Sequence, residues 1–179
     1  HASSLAGCVP DATNMQTRCV AKGYWHKTNT IAFLDASATK AAVRAHLAAL
    51  AAKAVAGDTV LYYQSSHGGN HTANGELTKD AYICLHDANY EDYEMAADLM
   101  RFAAGVKVVV VLDTCHSAGM FKTMDARRTT ADMSFAQRVH QLMVARTALR
   151  KGEMSGITAD DIGWIAAADY NQYSWDTAQ

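Results

Sequence analysis

At 179 residues and 19.3 kDa, half apolar and 19% charged, the chain has the composition of one globular domain. Sixteen Lys and Arg against 18 Asp and Glu leave a net charge of −2 and a pI near 6.5, which offers no basic footprint for nucleic acid or an acidic membrane. Apolar runs such as Val108–Leu112 fall well short of the ~20 residues of a membrane span, and no signal-peptide series opens the sequence, so a soluble, cytoplasmic protein is expected. Four cysteines, Cys8, Cys19, Cys84 and Cys115, are scattered without a Cys-x-x-Cys pair. That spacing favours reduced thiols over a disulfide framework or a zinc knuckle.

Helix and strand patterns alternate along the chain. Asp11–Ala21 has Ala12, Met15, Cys19 and Val20 at helical spacing and stops at Gly23. Ile31–Leu34 predicts a strand. Ser37 or Thr39 can cap an Ala-rich helix running to Val55, with Val43, Leu47 and Leu50 on one face and Gly57 at its end. Strands follow at Thr59–Gln64 and Ala81–Leu85, then a helix at Glu94–Ala104 with Met95, Leu99, Met100 and Phe102 inward and Gly105 as its stop. Val106–Leu112, nearly all Val, suits a parallel strand buried on both faces. Beyond a polar stretch, Lys122–Asp132, the pattern predicts an amphipathic helix near Phe135–Leu149 and a last strand at Trp164–Ala168. Such alternation implies an α/β fold with a mostly parallel sheet, helices on both faces, and ligands bound beyond the carboxyl ends of the strands.

Two strand ends carry chemistry. Thr59–Gln64 runs out into Ser65-Ser66-His67-Gly68-Gly69, and the Val-rich strand runs out into Asp113-Thr114-Cys115-His116-Ser117-Ala118-Gly119. A thiol becomes a strong nucleophile beside a base, and an imidazole can take that proton and return it to a leaving amine. Gly68 lets backbone approach a substrate carbonyl, and its N–H with that of Cys115 can hold an oxyanion, worth about 3 kcal/mol per donor. Taken singly, a Cys ending a buried strand is more often packing and a lone His more often structural. Neighbours along a strand point to opposite faces, so His116 aims away from the thiol and is structural. A tyrosine-phosphatase loop, which the Cys-His string resembles with its first pair transposed, needs Arg six residues after Cys, and position 121 is Phe.

Taken together, Leu5-x-Gly7-Cys8-x-x-Asp11-Ala12-x-x-Met15, the strand ending Ser65-x-His67-Gly68, Asp113-x-Cys115-His116-Ser117-x-Gly119 and Asp169-x-x-Gln172-x-Ser174-x-Asp176 resemble the caspase-like cysteine peptidases, in their metacaspase branch. The resemblance spans residues 5 to 119 and 162 to 176. It implies the caspase-haemoglobinase fold as a single domain over 1–179, with about 122–158 joining the large and small portions. By position, Cys115 would be the nucleophile, His67 its general acid/base, and the Gly68 and Cys115 N–H groups the oxyanion hole. Asp11 and Asp113 would line the pocket for the residue before the scissile bond, with Cys8 and Ser65 at its walls. Two carboxylates in one cleft favour a cationic guest, so cleavage after Arg or Lys rather than Asp is expected. The plainer alternative makes Asp11 a helix cap and Asp113 a backbone acceptor. An inactive peptide-binding module, and a transpeptidase or ligase using the same acyl-enzyme, are the competing functions.

The chemistry implied needs no cofactor. His67, His71, His86, Cys115 and His116 are zinc-type residues, but His67 and His71 lie four apart in a Gly- and Asn-rich stretch with no reason to converge. Metacaspases often carry a regulatory calcium site in the region of Asp80, Asp87, Glu91 and Asp92. The family's acidic residue past the nucleophile is here replaced by Lys122 or displaced to Asp125, so a solvated acidic loop stands beside the calcium alternative. Arg127-Arg128 and Arg150-Lys151 are candidate self-cleavage sites in the joining segment, or else part of a solvated basic face. The family's first strand has no counterpart before Leu5, which suggests a piece of a longer polypeptide. Partners are expected to be peptide or protein substrates with a basic residue before the cut, taken by a monomer.

Overall fold

The computed structural model describes residues 5–73, 76–115, 120 and 162–166. In chain order they form α1 (Cys8–Ala21), α2 (Lys40–Lys53), β1 (Thr59–Ser66), β2 (Gly68–Ala73), β3 (Glu76–Cys84), β4 (Asn89–Glu91), α3 (Asp92–Leu99), β5 (Lys107–Thr114) and β6 (Ile162–Ala166). β1 and β5 run parallel in unbroken register from Thr59↔Lys107 to Ser66↔Thr114, and β6 joins the other side of β5 from Val108↔Ile162 to Leu112↔Ala166. The sheet order is therefore β1-β5-β6, all parallel. A second, antiparallel sheet, β2-β3-β4, continues from the end of β1.

Several boundaries move. α1 starts at Cys8, three residues before the predicted Asp11, because Pro10 falls in the first turn, where its missing N–H is no loss. Asp11 is thus not the N-cap; Gly7 is, and the Asp11 carboxylate faces the positive end of the helix dipole. Ile31–Leu34 joins no ladder among the described residues. Its backbone is extended at Leu34 (φ −119°, ψ 139°), and Ile31 is 53% exposed, so strand-forming side chains alone do not make a strand without a partner. Thr39, not Ser37, caps α2, its hydroxyl accepting from Ala42 N at 3.2 Å. Ser37 instead closes a short 3-10 turn by accepting from Leu34 N at 2.8 Å. α2 ends at Lys53 rather than Val55, and the chain reverses at Gly57, whose φ of 96° suits only glycine. β2 and β4 were not predicted, β3 begins at Glu76 rather than Ala81, and α3 runs Asp92–Leu99 rather than Glu94–Ala104. Glu94 accepts from Glu91 N at 3.2 Å and so starts α3 earlier. Phe102 lies past the helix yet is fully buried. The expected Phe135–Leu149 helix and residues 167 and 168 of the last strand lie outside the described residues.

The two faces of β5 differ. Val108, Val110, Leu112 and Thr114 are at most 1% exposed, whereas the alternating Val109, Val111 and Asp113 are only half-buried. The strand is therefore not sealed on both sides, as its run of valines suggests. Its closed face meets Val43 and Leu47 of α2, Met95 and Leu99 of α3, and Ile83, Tyr90, Phe102 and Val106. Each such side chain contributes about 1.5–3 kcal/mol by leaving water. α1, packed on β1, has no fully buried residue.

An ionic network ties α2 to α3. The wholly buried Asp98 accepts from Arg44 Nε at 2.6 Å and Nη2 at 3.3 Å, from the Tyr90 hydroxyl at 2.9 Å, and pairs with Arg101 at 3.3 Å. Glu94 pairs with Arg44 at 3.1 Å and with Lys40. The hydrogen bond to Asp98 raises the Arg44 pKa, so the guanidinium stays charged and the buried carboxylate keeps its counter-ion.

Candidate active site

The β1–β5 ladder delivers two residues to one place. Its last rungs are Ser65↔Asp113 and Ser66↔Thr114, and the next residues on the two strands are His67 and Cys115. Parallel neighbours lie about 4.8 Å apart, so the chain at His67 and at Cys115 leaves the carboxyl end of the sheet side by side. Gly68 makes the approach possible. A Cβ there would overlap the Cys115 carbonyl oxygen and lie 3.1 Å from Thr114 Oγ1.

β3 adds a third residue. Gly68 faces Ile83 in the antiparallel register, and Cys84 N–H donates to the His67 carbonyl at 2.8 Å, which sets Cys84 opposite His67. Burial pushes the Cys84 thiol pKa up, and Cys115 adds to that rise. Cys84 was not singled out from the sequence, because its position depends on a β2–β3 pairing that Gly68-Gly69-Asn70-His71 does not advertise. All four cysteines are thiols.

A second group gathers at the Ser65↔Asp113 rung, two residues before His67 and Cys115. α1 brings Asp11 over β1, where the Ser65 hydroxyl donates to Asp11 Oδ2 at 3.5 Å, and Asp113 stands opposite Ser65 on β5. Two residues back on the same strand face, Tyr63 joins them. Burial first, then the charges of Asp113 and Asp11, push its phenol up to about 12 against a hydrogen bond with Ser65, and Cys8 adds a smaller rise. The β1–β5 register and the Ser65–Asp11 contact thus bring Asp11, Ser65 and Asp113 together, and Asp113, Asp11 and Cys8 act electrostatically on the Tyr63 phenol. Tyr63 was missed, although its two-residue spacing from Ser65 on an identified strand was the available signal.

The acidic run near β4 is divided among separate tasks. Asp87 Oδ1 accepts from Lys40 N at 2.8 Å at the start of α2. Glu91 pairs with His71 Nε2 at 2.7 Å, and the His71 ring lies 5.0 Å from that of Tyr82. Asp92 is 3% exposed and accepts from Tyr93 N at 2.6 Å. Among the described residues, no three His, Cys, Asp or Glu side chains are grouped to hold a metal. His116, Lys122, Asp125, Arg127-Arg128, Arg150-Lys151 and Asp169–Asp176 lie outside the described residues, as does the Asp80 side chain. No helix among the described residues is long and apolar enough to cross a membrane.

Comparison with known proteins agrees with this architecture. The chain is similar to protein GSU0716 from Geobacter sulfurreducens, whose crystal structure superposes with a TM-score of 0.62 at 26% identity. That match covers 94% of this chain and 66% of the other, so the chain spans just under two thirds of that relative's length. No curated protein sequence matches. The family model described as the caspase domain matches residues 1–179. With its parallel sheet, flanking helices and paired strand ends, the chain belongs to the caspase domain family of cysteine peptidases.

Proposed function

We propose that this chain is a cysteine endopeptidase of metacaspase type that cleaves peptide bonds after Arg or Lys. The observation that carries it is the register at the ends of β1 and β5: Ser65 stands opposite Asp113 with its hydroxyl on the Asp11 carboxylate, and two residues further along the two strands come His67 and Cys115.

In this mechanism His67 takes the proton of Cys115, and the thiolate attacks the substrate carbonyl to form a carbon–sulfur bond. The displaced carbonyl electrons rest on an oxyanion held by the Gly68 and Cys115 N–H groups. On collapse the carbon–nitrogen bond breaks, and His67 passes its proton to the departing amine, leaving a thioester on Cys115. Water, deprotonated by His67, then releases the new carboxylate and restores the thiol. The basic side chain before the scissile bond enters between Asp11 and Asp113, whose mutual repulsion a cation relieves.

Fluorogenic peptides ending in Arg, Lys or Asp test this, run on the chain and on Cys115→Ala with and without calcium. Turnover of the Arg and Lys peptides alone, lost in the variant, is expected. Turnover of the Asp peptide would overturn the pocket assignment. Binding without turnover would favour a peptide-binding module.

A further inference from the structure

We infer that Tyr63 is a specificity-determining residue that reads the far end of the bound side chain and favours Arg over Lys. This rests on the pocket proposed above and adds a residue to it.

Tyr63 and Ser65 are two apart on β1, so their side chains share one sheet face, the face over which α1 carries Asp11. The charges of Asp113 and Asp11, with a smaller contribution from Cys8, act on the phenol and raise its pKa. On β1 Tyr63 stands two residues from Ser65 on the side away from His67, the position that the far end of a long side chain entering between Asp11 and Asp113 would reach in the proposed pocket. Anionic neighbours and burial keep it un-ionised, so it presents a neutral oxygen that can accept a hydrogen bond.

The two candidate guests use that oxygen differently. A guanidinium carries five N–H donors in a planar fork, and two carboxylates do not exhaust them when both take one edge. An outward N–H then meets the phenol oxygen. An ammonium has three donors on a single nitrogen, which Asp11, Asp113 and Ser65 can satisfy without Tyr63.

The test compares Tyr63→Phe with the unaltered chain on matched Arg and Lys peptides, with Asp113→Ala alongside. Cys115 alkylation and the melting temperature report that the variants are folded. Tyr63→Phe should lower kcat/KM for Arg about tenfold and for Lys less than about threefold, as expected for one lost hydrogen bond to a charged group. Equal losses on both peptides, or none, while Asp113→Ala abolishes turnover, would overturn the role of Tyr63 and leave the pocket standing. Undiminished Arg cleavage by Asp113→Ala would overturn the pocket, and the assignment of Tyr63 with it.

Discussion

β5 is one strand with two different neighbours. Toward α2 and α3 it presents Val108, Val110, Leu112 and Thr114, all essentially without solvent contact; on the alternate face Val109, Val111 and Asp113 remain half-buried. The first face supplies cohesion, because apolar area removed from water stabilises in proportion to its extent. The second is only partly covered. A strand's two-residue period therefore lets one segment support the core with one set of residues while offering chemistry with the other.

Substitutions on the open face should change activity with little effect on stability, and those on the closed face the reverse. The largest effect expected is from His67→Ala, which should lower kcat/KM by a factor on the order of a thousand or more while leaving the melting temperature nearly unchanged. A cooperative loss of stability in that variant would mean the open face also supports the fold. Next, Asp113→Ala should lower turnover of basic peptides about a hundredfold, with Cys115 still reacting with iodoacetamide; unaltered KM and kcat would break the comparison at its centre. On the closed face, Val110→Ala should destabilise by about 2 kcal/mol in urea titration, with the surviving folded fraction retaining normal turnover.

The smallest effect is alkaline. Burial raises the pKa of Tyr62 and Tyr90, and Tyr63 is pushed up to about 12. Between about pH 10, where these groups ionise in the unfolded chain, and about pH 12, the folded chain holds more protons. The stability they confer is complete below about pH 10 and falls as pH rises through that window. Melting temperatures from pH 9 to 11.5 should therefore decline, and less steeply in Tyr63→Phe; identical slopes would place Tyr63 in an ordinary solvated setting.

How much was legible in advance follows from which signals are local. The Val-rich strand, Thr59–Gln64 and their His and Cys termini were readable because composition and alternation are carried by consecutive residues. Ile31–Leu34 has equally suitable residues, yet a ladder needs a neighbour, and none stands beside it among the described residues. β2 was unreadable for the opposite reason. Gly68-Gly69-Asn70-His71 has no apolar alternation and pairs with β3 through its backbone, and three-residue β4 is too short to leave a pattern. Asp11 and Ser65 lie 54 positions apart, so their meeting was accessible through family resemblance and not through spacing. Tyr62 and Tyr63 are adjacent and chemically identical; only the two-residue phase of β1 says which one shares a face with Ser65.

The fit between Gly68 and the Cys115 carbonyl makes the approach of these two strand ends depend on clearance as well as attraction. Hydrogen bonds can be replaced by weaker ones and apolar contacts by smaller ones, so most positions tolerate a graded series of substitutes. A gap that the first side-chain carbon already overfills has no such series, and the obstructing atom is backbone, which cannot swing aside as a flexible side chain would. In a library encoding all twenty amino acids at position 68, selection for turnover should recover glycine alone, while many letters remain acceptable at exposed positions of α1 such as Asn14 and Arg18.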